Sequence, residues 1–80
     1  MPRYYFDLHE CGEIVEDAEG CEVEDAGAAR AIAMKSARAI MMAEVADGRL
    51  CLSCHIVVRD ENRAAILEVP FRDAIQLSGL

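Results

Sequence analysis

The residues of this chain best suited to chemistry are four cysteines and two histidines, and three of them fall within one stretch, Cys51-Leu52-Ser53-Cys54-His55. That spacing matches the C-x-x-C-H pattern of covalent c-type haem attachment, in which two thiols add to vinyl groups and the histidine binds iron. Met34, Met41, Met42 and His9 are the candidates for the opposite axial ligand. Two features count against haem. The opening Met1-Pro2-Arg3-Tyr4-Tyr5-Phe6-Asp7 lacks the apolar run of a secretory signal, whereas this attachment belongs to exported chains. The β-branched residues Ile56, Val57 and Val58 read the motif as part of a strand, not the helix that presents a proximal histidine. Two residues three apart in a strand face opposite ways at roughly 10 Å. The expectation is therefore a pair of thiols splayed too far to hold one haem.

Zinc has enough candidate donors in Cys11, Cys21, Cys51, Cys54, His9 and His55. A structural zinc site usually takes two close pairs, and Cys11 and Cys21 do not form the second. Only a bend placing Cys51 and Cys54 in a knuckle just before the strand restores the site. Thioredoxin-type dithiols sit at a helix N-terminus that lowers the thiol pKa, and none is predicted at residues 51–54. Disulfides are not expected in a reducing cytosol. Ser53 and His55, with Asp7 or Glu68 opposite, could be drawn as a hydrolytic triad, but a sheet face supplies neither pocket nor oxyanion donors. No phosphate-binding glycine loop or metalloprotease helix motif occurs. No catalytic residue, cofactor or metal site is expected, and the chain is not read as an enzyme.

The elements that position these residues centre on residues 25–48. Asp25 is a good N-cap, its carboxylate accepting from the free N–H groups of a first turn. Alanine then recurs without an intervening proline, and Gly48 supplies the left-handed residue that ends a helix. At 100° per residue Ala29, Ile32, Ala33, Ser36, Ala39, Ile40 and Ala43 share an arc, predicting a face packed on a sheet. Arg30, Lys35 and Arg38 form a solvated arc. Met34, Met41 and Val45 form a third stripe, which a monomer would leave wet and which suits a helix-to-helix homodimer seam or a covering strand.

Residues 3–9 alternate, with Tyr4, Phe6 and Leu8 on one face. Residues 10–13 turn, residues 13–16 return, and Asp17-Ala18-Glu19-Gly20 has turn chemistry before Cys21 and Val23 lead into the helix. Beyond the helix, residues 50–59 read as the strongest strand, with Leu52, Cys54, Ile56 and Val58 inward. Asp60-Glu61-Asn62-Arg63 is a polar turn. Residues 64–69 return, Pro70 ends the pairing or lies at an edge, and residues 72–77 allow one helical turn. The order β-β-α-β-β predicts one α+β domain over residues 1–80, a four-stranded antiparallel sheet with one long helix on one face. The other face then carries Tyr5, His9, Ser53, His55, Val57, Ile66 and Glu68, a second candidate partner surface.

Fifteen acidic residues against eight basic give a net charge of −7, most of the excess falling in residues 10–25. Such a chain repels a phosphate backbone, so direct nucleic-acid binding is disfavoured unless Arg3, Arg59, Arg63 and Arg72 cluster. No apolar run is long enough for a membrane span, and the chain is placed in the cytoplasm.

The opening Met1-Pro2-Arg3-Tyr4-Tyr5-Phe6-Asp7-Leu8, the Asp17-Ala18-Glu19-Gly20 turn, the alanine-rich helix and the closing Val69-Pro70-Phe71-Arg72-Asp73-Ala74 together resemble a family of short uncharacterised bacterial proteins. The likeness covers nearly the whole chain. It implies a small stand-alone cytoplasmic domain without assigned catalytic residues. The family pattern has polar residues where this chain has Cys51 and Cys54, which counts against a family role in haem or zinc binding.

The leading expectation is a non-enzymatic interaction module, a homodimer using Met34, Met41 and Val45 or the sheet face at Tyr5, His55, Val57 and Ile66. The alternatives are a zinc or haem protein built on Cys51, Cys54 and His55, and an acidic regulator of a nucleic-acid-binding partner.

Overall fold

The computed structural model describes residues 1–10 and 12–79. Cys11, a candidate zinc donor in the predicted first turn, lies outside the described residues. The elements run β1 (Arg3–Glu10), β2 (Glu13–Val15), β3 (Cys21–Glu22), α1 (Ala26–Ala46), β4 (His55–Arg59), β5 (Ala65–Pro70) and a 3₁₀ turn (Phe71–Ala74). The α+β class stands, but the sheet has five strands, not four. The returning arm of the first hairpin breaks at residues 16–20, and both fragments pair antiparallel with β1: Leu8 opposite Val15, and Arg3 opposite Glu22. The path across the sheet is β2-β1-β4-β5, so β1 is central and pairs with β4 across the helix crossover. Tyr5 faces Arg59, Asp7 faces Val57 and His9 faces His55.

α1 begins and ends where its local chemistry directs. Asp25 is the N-cap, and its Oδ1 accepts from the Ala28 N–H at 2.8 Å. Gly48 takes φ +84°, and its N–H donates to the Val45 carbonyl at 2.9 Å. The face that α1 buries differs from the expected arc. Ala29, Ala33, Ala37 and Met41 are buried, an i, i+4 row, whereas Ala39 and Ala43 are exposed. Met41, expected on a wet stripe, is only 3% exposed. Short alanines along the row let the helix approach the sheet closely, and the longer Met41 side chain packs into the same core at the end of the row. The core joins this row to Tyr4, Ile56, Val58, Val69, Phe71 and Ala74.

The strand expected over residues 50–59 begins only at His55. Its neighbours explain the late start. β1 runs only one residue past His9, to Glu10, and β5 ends opposite His55 at Pro70, so a strand extended back to residue 50 would run past both of its neighbours. Residues 50–54 bend instead. The Cys54 carbonyl accepts from the Phe71 N–H at 2.9 Å, which ties the bend to the 3₁₀ turn.

Candidate functional site

The bend brings the two thiols of the C-x-x-C motif together, with Cys54 Sγ 3.0 Å from Cys51 Sγ. The expected separation of roughly 10 Å assumed extended backbone. That assumption fails because residues 51–54 lie before the strand, in the knuckle-like bend that the zinc reading required. The Ser53 hydroxyl sits 3.2 Å from Cys51 Sγ. His55, the first residue of β4, belongs to the other face of the sheet. Its ring lies against the His9 ring, centroids 4.7 Å apart, and its Nε2 is 4.0 Å from Glu68 Oε1. Cys51 and Cys54 line a cleft of about 370 Å³ with Glu10, Glu13, Glu44, Arg49 and Leu50. Glu44 Oε1 is buried there without a hydrogen-bond partner among the described residues.

The sheet face away from α1 is not an open apolar surface, because charged side chains and the loop at residues 16–20 occupy it. Asp7 is 3% exposed and accepts twice, from Arg59 Nε at 2.9 Å and from the Asp17 backbone N–H at 2.9 Å. Asp17 in turn accepts from the N–H groups of Phe6, Glu19 and Gly20. Burial pushes the Asp17 pKa up, but the N–H groups of Gly20, Phe6 and Glu19, with the nearby Arg63 charge, outweigh it and hold the carboxyl below its usual value. The Arg63 guanidinium lies 3.9 Å from the centre of the Tyr5 ring, and Arg63 takes φ +66°. The left-handed backbone costs free energy that its contacts with Tyr5 and the Asp17 carbonyl help to offset. Val57, expected exposed, is 7% exposed beneath this cover. Tyr5 and His55 are half-buried, and Ile66 is exposed. A cleft of about 380 Å³ remains between Asp7, His9, Ile14, Glu16, Arg59 and Arg63, and His9 Nε2 is buried without a partner among the described residues.

The triad drawn from the sequence is not assembled. The Ser53 hydroxyl contacts Cys51, the Asp7 carboxylate is held by Arg59, and Glu68 approaches His55 only to 4.0 Å. Three of the four arginines that could have clustered for nucleic acid are engaged: Arg3 pairs with Glu22 at 2.9 Å, Arg59 with Asp7, and Arg63 with Tyr5 and the Asp17 carbonyl.

A third feature is apolar. Met41, Met42, Val45, Ala46, Leu50 and Ile75, with Arg38, line a groove of about 500 Å³ along the last turns of α1. Met42 is 73% and Val45 59% exposed. Met34 lies two turns away, half-buried, with Arg30 Nη1 3.3 Å from its sulfur. The sequence stripe thus identified Val45 correctly as surface but missed Met42 and Leu50. The true phase of the helix reveals Met42, and the path of the chain after α1 brings Leu50 beside it.

No helix among the described residues is long and apolar enough to cross a membrane. Fold and surface together define a small α+β domain with one helix on an antiparallel sheet, a charged outer sheet face and an apolar helix end. Residues 3–72 match the model of a domain of unknown function, DUF6894, and the chain belongs to that family. No curated protein and no solved structure matches it.

Proposed function

We propose that the chain is a non-enzymatic binding module that pairs with a second copy of itself through the groove at the end of α1. The observation that carries this reading is the exposure of Met42, Val45 and Leu50 together around one apolar groove. The surface is self-complementary in charge. An antiparallel, two-fold apposition of helices about Met42 sets Arg38 of each copy beside the opposite helix end, where Asp47 lies. The same geometry buries both Met42 side chains, whose flexibility suits an irregular seam.

The engagement of Arg3, Arg59 and Arg63 and the net charge of −7 favour a protein partner over direct contact with nucleic acid. The dispersal of Ser53, His55 and Asp7 into separate contacts favours binding over catalysis.

Sedimentation equilibrium tests the pairing. Met41→Glu would put a charge in the core, so the informative variant is Met42→Glu, at an exposed position. The wild type should show twice the chain mass at micromolar concentration and Met42→Glu the single mass, with unchanged circular dichroism. Equal masses for the two would sink the reading.

A further inference from the structure

We propose that Cys51 and Cys54 chelate a thiophilic divalent cation, of which Zn²⁺ is the representative, in the acidic cleft that they line with Glu10, Glu13 and Glu44. The sulfurs already stand side by side at 3.0 Å. Two thiolates on one tetrahedral Zn²⁺, at about 2.3 Å each, lie roughly 3.8 Å apart, so the side chains need open by less than about 1 Å. The bend makes this possible because residues 51–54 carry no strand ladder that would have to break.

The surroundings favour a cation over a disulfide. Among the described residues, Glu10, Glu13 and Glu44 line the cleft against one basic side chain, Arg49. An acidic lining attracts a divalent cation, whose own charge then offsets the repulsion among the carboxylates and thiolates gathered around it. Glu44 is a second, independent pointer. Its Oε1 is buried in this cleft with no partner among the described residues, and a buried carboxylate oxygen is ordinarily satisfied. As the side chains lie, no group of three Cys, His, Asp or Glu ligands stands ready among the described residues. Glu44 therefore has to turn about its side-chain torsions to become the third ligand, leaving the fourth position to water, as in an open zinc site. His55 is excluded from the set because its ring lies against His9 on the other face of the sheet.

The test uses the reduced full chain, titrated with Cd²⁺ to read the thiolate-to-metal charge-transfer absorption and with Zn²⁺ against a chromophoric chelator for affinity. One ion should bind per chain, with release of protons and a rise in unfolding temperature. Cys51→Ser, at the less buried thiol, should weaken binding at least about a hundredfold, and Glu44→Gln about tenfold. Cys21→Ser, at an exposed thiol in β3, should change nothing. Met42→Glu should bind the ion as the wild type does, so failure of the pairing proposal leaves this one standing. The proposal is overturned by the absence of a charge-transfer band in the wild type, or by a folded Cys51→Ser that keeps wild-type affinity.

Discussion

Gly20 shows how much of the outer sheet face depends on one missing side chain. It takes φ +69°, and a Cβ there would stand 2.7 Å from the Tyr4 carbonyl oxygen and 2.9 Å from Tyr5 Cε1. Gly20→Ala therefore combines a disfavoured backbone with a clash against backbone that cannot yield, and should cost about 2–3 kcal/mol by urea denaturation. Asp17, three residues earlier, depends on charge. Its pKa is depressed in the folded state, so the stability it contributes is complete above the ordinary aspartate value of 3.8 and is lost as pH falls through the lowered folded value. Asp17→Ala should lower stability by about 1–3 kcal/mol at neutral pH through the lost acceptors. The gap in melting temperature between variant and wild type should narrow as the pH is taken below 4. A gap independent of pH would show that the carboxylate charge is not what holds the loop.

At the scale of elements, α1 and β4 mark what was legible in the sequence and what was not. The ends of α1 could be read because Asp25 and Gly48 act on backbone groups within a turn of themselves. Its face could not, because alanine lies at buried and exposed positions alike and the periodic contrast is weak. The true row, Ala29, Ala33, Ala37 and Met41, is set by the sheet beneath it. Ala33→Leu, at a position with no exposure, should cost about 1–3 kcal/mol by overpacking, whereas Ala39→Leu on the outer side should fall within about 0.5 kcal/mol of wild type. Thermal unfolding of the pair distinguishes the two phases, since the expected arc would have made Ala39 sensitive as well. Residues 50–54 read as strand because Leu52 and Cys54 continue the alternation of Ile56 and Val58, but alternation cannot report that β5 stops opposite His55 and β1 one residue past His9. The cover over the outer sheet face was invisible for a related reason: Asp7 and Arg59 are 52 positions apart, and nothing local announces their meeting.

For the molecule as a whole, a net charge of −7 opposes the approach of two copies, while the groove at Met42 and Val45 rewards it. Added salt should therefore strengthen self-association by screening that repulsion. The wild-type melting temperature should rise with protein concentration and that of Met42→Glu should not, a difference that differential scanning fluorimetry at several concentrations would measure. The position of β1 in the middle of the sheet has a consequence for synthesis on the ribosome. The strand made first lies in the centre, and its long-range neighbour β4 follows only after the whole of α1. Until residues 55–59 leave the exit tunnel, the nascent chain has a ragged hairpin and a finished helix with little to close over their apolar sides. For that interval the apolar sides of β1 and α1 stay open to water, and the last hairpin is the latch that closes over them.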